Sequence, residues 1–492
     1  MRNLSDKLKA NNTSYHRDQR IHRLLVGSAW TSAAILVNRM LPVLLVIVLA
    51  VLVQPTDLGI FALVVAFYTV LSLFADLGIA YALPKFIQEN PDNAVAISAT
   101  SMTLRLVASI LLAIICWLTD YCWGIFKGYG GPVGLLIIAS VFIAQYYSLT
   151  ARLKFRESNL TVIFRGVIWF ALSILLVLAG SPALGPVYGL AIAFAITGLI
   201  VIFWEGTKYY LGFDPGLAVK IVKYSSLIML ASGLNVLAAQ AGIITLGYLA
   251  TESEVGVFKL AMTFGTAPMI LKEIIVTPLL PVVKQCMMED PSAGLELMRN
   301  VIRYLVLAAF LILGLGLLIS EPFISLFFGE KYLTAVSPLR LLLLANVLGA
   351  LFTVLISVGY MMGDMRSLTR ISAVVAGLCI GGSLMLIPSQ GGNGAALALC
   401  LSNGVGLLLL GLWLRRKTFA WIQWRECGFI LVCFLEMMIL GLFFISVVPE
   451  ARLRLIISLI IPPLIYFGAL LLHKSIRIAE IFRFYQLLRM KS

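Results

Sequence analysis

Charged side chains are scarce in this sequence: Asp, Glu, Lys and Arg make up 12% of its 492 residues, whereas hydrophobic residues make up 61%. This composition excludes an ordinary soluble protein of the same length. Apolar runs of about 18 residues or more recur along the chain, and each is long enough to cross a hydrocarbon core as a helix. The sequence therefore predicts an all-α polytopic membrane protein.

Histidine and cysteine are also few, and both lie where they suggest no chemistry. The three histidines, His16, His22 and His473, lie near the ends of the chain, which excludes a histidine proton relay within the membrane. Four of the seven cysteines stand in apolar runs, so no disulfide framework is expected. No Cys/His cluster indicates a metal, and no cofactor is expected.

Signatures of nucleotide and catalytic sites are missing as well. The sequence contains no G-x-x-x-x-G-K-[ST] motif, so transport powered by ATP hydrolysis on this chain is excluded. It contains no HExxH or GxSxG constellation at usable spacing, and the protein is predicted not to be an enzyme. The net charge of +14 is interpreted through membrane topology rather than nucleic-acid binding, and no nucleic-acid partner is expected.

Glycine, proline and charge breaks divide the apolar runs into fourteen predicted transmembrane helices. Most Lys and Arg residues fall on one side of this topology, which places both termini in the cytoplasm. Only five fall on the opposite side: Lys127, Lys331, Arg340, Arg452 and Arg454. The predicted spans are 25–53, 57–84, 94–119, 130–151, 160–180, 184–204, 221–250, 254–282, 300–328, 334–359, 367–388, 394–414, 427–448 and 453–473.

The connections between these helices are short. The longest outer one, near Ser320–Ser337, is itself apolar and leaves no room for a folded external domain.

An internal repeat relates the two halves of the chain. The segment LVQPTDLGIFALVVAF at 52–67 resembles LATESEVGVFKLAMTF at 249–264, and the offset of 197 residues extends without gaps. It spans six helices, an even number, so the copies share one orientation and form parallel repeats. The predicted architecture is two six-helix lobes around a central cleft, with two further helices. Its segments are a cytoplasmic tail (1–24), an N-lobe (25–206), a linker (207–220), a C-lobe (221–415), helices 13 and 14 (425–473) and a basic cytoplasmic tail (474–492).

Asp76 interrupts the apolar run FADLGIA, and the repeat offset pairs it with Glu273. Arg105 lies at a matching depth and is the expected partner of Asp76, because an unpaired charge there costs about 3 kcal/mol on insertion scales. The two carboxylates are predicted to be either coupling groups that titrate during transport or structural groups. In the structural interpretation, Asp76 and Arg105 form a pair that locks one lobe.

The remaining charges at membrane depth are mainly cationic. Arg39, Arg105, Lys259 and Lys272 are predicted to line a wet cleft that accepts an anionic substrate. In the alternative interpretation, the two lysines extend to the membrane interfaces. Asn38, Asn235 and Gln240 are secondary polar candidates, and Glu436 marks a possible contact or lipid groove. The basic run 415–417 and the C-terminal tail are expected to contact anionic lipid headgroups.

Several motifs in order along the chain resemble the Wzx-type polysaccharide flippases of the multidrug/oligosaccharidyl-lipid/polysaccharide (MOP) exporter superfamily. The resemblance covers about residues 24–415 clearly and the last two helices more loosely. One departure is Val51, where members often carry an arginine, and Arg39 is a candidate substitute. The motifs are Gly27-Ser-Ala-Trp30, Pro55-x-Asp57-Leu58-Gly59-Ile60-Phe61, Ala75-Asp76-Leu77-Gly78, Ala151-Arg-Leu-Lys-Phe155 and Leu326-Phe-Phe-Gly-Glu-Lys-Tyr332.

The resemblance implies a multi-pass transporter of the bacterial inner membrane that flips a polyprenyl-diphosphate-linked oligosaccharide for surface polysaccharide (O-antigen, capsule or exopolysaccharide). Its implied partners are that glycan lipid, membrane lipids and other polysaccharide-assembly proteins. Two readings from the same superfamily stay open: a lipid II flippase and a cation-coupled multidrug exporter. A membrane polysaccharide polymerase or ligase is disfavoured by the short outer loops.

Overall fold

Helices make up the regular secondary structure of this computed structural model, which describes residues 34, 37–205, 212–276, 279, 283, 286, 291–361, 364–416, 424–448 and 450–472. Within those residues no strand occurs, which confirms the all-α prediction. The helices of the first half are α1 (Val37–Leu52), α2 (Pro55–Asp76), α3 (Ile79–Glu89), α4 (Ala94–Trp123), α5 (Gly130–Ala139), α6 (Ile143–Ala151), α7 (Phe155–Leu178) and α8 (Gly185–Glu205). Those of the second half are α9 (Pro215–Leu249), α10 (Glu252–Gly265), α11 (Ala267–Ile275), α12 (Pro291–Phe328), α13 (Val336–Met361), α14 (Met365–Gln390), α15 (Gly392–Arg416), α16 (Trp424–Val447) and α17 (Ala451–Leu472).

Twelve helical stretches in the described part of the chain are long and apolar enough to cross a membrane. Two shorter apolar segments, Val37–Leu52 and Gly233–Leu249, lie where the first and seventh spans are predicted. The multi-pass prediction is confirmed, whereas the count of fourteen stays a prediction. The N-terminal tail, the basic C-terminal tail and residues 207–211 of the predicted linker lie outside the described residues.

Three predicted spans are interrupted rather than continuous. Predicted span 57–84 breaks at Leu77 and Gly78, both in the left-handed region with φ of 49° and 75°. Predicted span 254–282 breaks at Thr266, because Pro268 in the first turn of α11 has no N–H to continue the helix. Span 130–151 contains a 3₁₀ turn at Ser140–Phe142. Apolar runs predict membrane crossing but not whether a helix crosses without a break.

The outer connection predicted at Ser320–Ser337 is wrong in extent, because most of it is helical. Helix α12 continues to Phe328, a 3₁₀ turn covers Glu330–Ala335, and α13 follows at Val336. Gly329, with a φ of 75°, is the short joint between the two helical segments. The connection on this side of the second half is therefore even shorter than predicted.

The chain divides into two compact units. The first joins the described part of Met1–Leu49 to Val64–Gly233, and the second joins Ala50–Leu63 to Leu234–Ser492. The predicted lobe boundaries and the cleft between the lobes stay predictions. In the first unit, Ile79, Leu83 and Ile97 belong to a fully buried apolar cluster that packs α3 against α4. In the second, buried side chains of α12, α13 and α16, among them Leu305 and Val358, form the main core.

Helix starts in the two halves follow the repeat offset. Helix α2 begins at Pro55 and α10 at Glu252, which are 197 residues apart. Helix α4 begins at Ala94 and α12 at Pro291, again 197 residues apart. Equal spacing at two pairs of helix starts agrees with a structural repeat.

Candidate functional site

The break between α2 and α3 places Asp76 at the end of a helix rather than inside one. Asp76 is the last residue of α2, and α3 begins three residues later at Ile79. A Cβ on Gly78 would lie 2.6 Å from the Cβ of Ser225 on α9, so glycine is required for space as well as for its positive φ. The interruption is thus specified by Gly78 and by its neighbour in the fold.

Asp76 satisfies two groups at this break. One carboxylate oxygen forms a salt bridge with the guanidinium of Arg105, so the predicted pairing is confirmed. The other accepts a hydrogen bond from the backbone N–H of Ala80 at 3.3 Å, in the first turn of α3. A carboxylate at a helix N-terminus is favoured because the first N–H groups have no partner within the helix. Asp76 therefore acts as an anchor between α3 and α4.

The carbonyl exposed by the break is also satisfied. The Ser225 hydroxyl donates to the carbonyl oxygen of Leu77 at 2.6 Å and to that of Ile221 at 2.8 Å. Ser225 is fully buried, so this contact ties α9 to the break from inside the first unit. Between them, Asp76 and Ser225 compensate polar backbone groups that an interrupted membrane helix would otherwise leave unpaired.

Arg105 is 1% exposed, and its charge is balanced by Asp76. This geometry supports the structural reading of the pair over direct capture of substrate by Arg105. Its assignment to a substrate-binding cleft stays a prediction.

Arg165 on α7 is a deep cation that is not among the charges predicted at membrane depth. It lies ten residues beyond Phe155, about 15 Å along the helix. Its guanidinium carbon lies 5.1 Å from the ring centroid of Phe194 on α8, a cation–π distance. Its position in the apolar run TVIFRGVIWF is the signal that could have identified it.

Two tyrosines join the arginines into one group. Tyr68 on α2 and Tyr147 on α6 each lie within electrostatic range of both Arg105 and Arg165. We call Asp76, Arg105, Arg165, Tyr68 and Tyr147 the arginine–tyrosine cluster. Its residues come from α2, α4, α6 and α7, and all five lie in the first unit.

The predicted cations of the second half lie on α10 and α11. Lys259 is half-buried on α10, and the described residues give its ammonium no acidic partner. Lys272 and Glu273 are adjacent and half-buried near the end of α11. As with Asp76, a helix ends shortly after Glu273, so an interruption follows the carboxylate in both halves.

The other predicted residues are more accessible. Arg39 and Asn38 lie at the start of the described part of α1 and are exposed. Asn235 is exposed and Gln240 is half-buried on α9, while Glu436 is half-buried on α16. The structure brings Asp76 and Arg105 together in the first unit. Lys259, Lys272 and Glu273 are in the second, so their relation to the cluster stays a prediction.

A second ion network in the first unit joins the ends of two helices. Glu205, the last residue of α8, bridges to Arg152 and Lys154, which follow the end of α6. The side chains of Glu205 and Arg152 are only 7% and 9% exposed, whereas that of Lys154 is 45% exposed. The network joins the ends of α6 and α8 next to Leu153, which has a positive φ of 59°.

The helical fold with its repeats and its deep charges defines a class of protein, the multi-pass membrane transporters. A solved structure of the lipid II flippase MurJ in an inward closed conformation matches with a TM-score of 0.72 at 14% identity, covering 90% of this chain and 98% of that one. An inward-facing MATE-family multidrug resistance transporter of the MOP superfamily matches with a TM-score of 0.60 at 16% identity, covering 77% and 94%. A MATE transporter from Vibrio cholerae matches with a TM-score of 0.53 at 12% identity, covering 80% and 97%. The chain has the fold of this superfamily.

A family profile described as "Polysaccharide biosynthesis protein" matches residues 48–337, more than half of the chain. The chain therefore belongs to this family of polysaccharide biosynthesis proteins. The resemblance to Wzx-type flippases of the MOP superfamily is confirmed. A search of curated protein sequences finds no match.

Proposed function

We propose that this protein flips a polyprenyl-diphosphate-linked oligosaccharide from the inner to the outer leaflet of the bacterial inner membrane during surface polysaccharide assembly. Family membership supports the polysaccharide part of this proposal. The fold shared with solved flippases and transporters supports the membrane step. Both termini are placed in the cytoplasm, following the distribution of Lys and Arg.

The observation that carries the proposal is Lys259. It lies seven residues into α10, about 10 Å along the helix, without an acidic partner among the described residues. An intramembrane charge is costly and is retained where it meets a partner, water or a substrate. A diphosphate bears negative charge, so an unbalanced ammonium suits a diphosphate-linked lipid and not a cationic drug.

In the proposed mechanism the two lobes rock to expose a central path to each side in turn. Lys259, Lys272 and Arg39 attract the diphosphate, and the polyprenyl tail stays in the bilayer. Asp76 anchors its own lobe through Arg105, which leaves Glu273 as the carboxylate to test for coupling to an ion or proton.

The test is flipping of a fluorescent polyprenyl-diphosphate oligosaccharide by purified protein in proteoliposomes. Lys259→Gln is expected to lower the rate about tenfold, the effect of losing roughly 1.4 kcal/mol of binding. Its melting temperature should not fall, because the change removes a charge without a partner. Lys220→Gln, an exposed lysine on α9, is the matched control and should flip like wild type.

Substrate class is decided by a parallel comparison in the same vesicles. Preferential flipping of lipid II, or lethality with arrested peptidoglycan synthesis on deletion of the gene, would replace the proposal with a lipid II flippase. Transport of cationic dyes unaffected by Lys259→Gln would replace it with a multidrug exporter. Loss of surface polysaccharide in viable cells supports the proposal.

A further inference from the structure

The arginine–tyrosine cluster carries more positive than negative charge. Arg105 is paired with Asp76, whereas the described residues supply no carboxylate to Arg165. Its surroundings are instead the ring of Phe194 and the phenols of Tyr68, Tyr146 and Tyr147, all neutral groups. The cluster therefore has a net charge of one positive unit within the first unit of the fold.

The cluster is also rich in hydrogen-bond donors. The Nε of Arg105, a residue only 1% exposed, has no hydrogen-bond partner among the described residues. The hydroxyls of Ser101 and Ser109, one turn before and one turn after Arg105 on α4, are also buried, and the described part of the chain gives them no partner. Buried polar groups are normally hydrogen-bonded, so several unsatisfied donors on one helix face point to a missing acceptor.

We propose that this cluster is a binding site for one small inorganic anion of the chloride class, held between Arg165, Tyr147 and the free edge of Arg105. A monovalent anion balances the single excess charge and accepts from N–H and O–H donors. The site is bordered by the Phe194 ring and by Tyr68, which is 9% exposed. Such an enclosure suits a small ion and excludes a diphosphate that carries a glycan. The anion stabilises the first unit independently of the transported substrate.

The proposal is tested on the purified full-length protein in detergent. Sodium chloride is titrated against sodium gluconate at constant ionic strength, and the melting temperature is recorded. Anion binding to the folded state predicts a saturable rise of about 2 °C or more, with bromide replacing chloride. Equal melting temperatures in chloride and gluconate would overturn the proposal.

Variants locate the site. Arg165→Gln is expected to abolish the chloride-dependent rise, whereas Arg156→Gln, an exposed arginine at the start of the same helix, should retain it. Tyr147→Phe removes one hydroxyl donor and should weaken the apparent affinity about fivefold, so the test stands even where Arg165→Gln fails to fold. A rise that persists in both site variants contradicts the location.

Two further measurements identify the bound ion and distinguish its binding from lipid flipping. An anomalous bromide signal next to Arg165 is expected in crystals grown in bromide. Stabilisation through Arg165 by pyrophosphate but not by chloride would overturn the choice of a small monovalent ion. The melting assay contains no glycan lipid. Chloride-dependent stabilisation can therefore be absent while lipid flipping is observed, or present while flipping is not.

Discussion

Gly59 and Gly256 contact each other reciprocally at the starts of two helices that the repeat relates. A Cβ on Gly59 would overlap the carbonyl oxygen of Glu252, and a Cβ on Gly256 would overlap that of Pro55. Each pair, Gly59 with Gly256 and Pro55 with Glu252, is separated by the repeat offset of 197 residues. Because each glycine makes the equivalent contact with the other's helix, the starts of α2 and α10 are related by a local two-fold axis. The absence of a side chain at both positions allows the two backbones to approach closely.

Alanine at either position should destabilise the protein. Gly59→Ala and Gly256→Ala each force a methyl group against backbone, which typically costs about 1–3 kcal/mol. The melting temperature of purified variants measures this effect. Gly411→Ala on α15 is the control, because nothing lies within 4 Å of the added methyl group. Within a helix that change should be neutral or stabilise by about 0.5–1 kcal/mol. A Gly59→Ala protein that melts at or above the wild-type temperature would contradict the contact.

Neutralising Asp76 tests whether the carboxylate is an anchor or a coupling group. Asp76→Asn leaves Arg105 buried without its counter-charge, and breaking a buried pair in this way costs about 3–5 kcal/mol. The melting temperature should fall markedly, whereas Asp92→Asn at an exposed turn should change it little. The double variant Asp76→Asn/Arg105→Gln should be less destabilised than the sum of the single variants, because the two residues are in contact. Wild-type stability with lost ion-coupled transport would instead assign Asp76 to coupling.

Ser225 and Ser226 form a natural matched pair on α9. Ser225→Ala removes the hydroxyl that donates to Leu77, and the loss is expected to cost about 1 kcal/mol. Ser226 is exposed and donates only to Lys223 in its own turn, so Ser226→Ala should have almost no effect. Chemical unfolding of the two variants side by side gives the comparison. Equal effects would mean that the break between α2 and α3 does not depend on α9.

The Glu205 network predicts a difference between buried and exposed ion pairs. Glu205→Gln weakens charged hydrogen bonds to Arg152 and Lys154, and about 1–3 kcal/mol of stability should be lost. Glu89→Gln alters a pair with Lys85 whose side chains are 55% and 42% exposed, and such surface pairs contribute roughly 0–1 kcal/mol. Melting curves of both variants at low and high salt are the measurement. If salt removes the Glu205 effect entirely, the network is solvent-screened and not structural.

Much of the fold could be predicted from residue patterns, but the break in the second span could not. Apolar runs located the helices, and the repeat offset predicted that the helices at Pro55 and Glu252 are equivalent. The patterns did not show that the second span breaks after Asp76, because a glycine in an apolar run is compatible with a continuous helix. An unpaired charge at the membrane depth of Asp76 costs free energy, and this cost predicted the pairing of Asp76 with Arg105.

The deep cations were predicted less well. Arg165 was not among the predicted deep cations, because the distance of a residue from the interface is not visible in a count of Lys and Arg by side. Tyr68 and Tyr147 carry no signal at all in a chain with 17 tyrosines, since their importance depends on which neighbours they meet.

By itself the sequence determined that this chain crosses a membrane many times, that its halves repeat, and that it resembles polysaccharide flippases. The first two properties follow from hydrophobicity and spacing along the chain, whereas the resemblance rests on short motifs in order along it. Only the tertiary structure decided which charges neutralise one another and which do not. Asp76 reaches Arg105 from another helix, whereas Arg165 lies near the Phe194 ring and three tyrosine phenols, because the packing of distant helices sets these distances. The chemistry of the buried charges therefore became visible only in the folded chain.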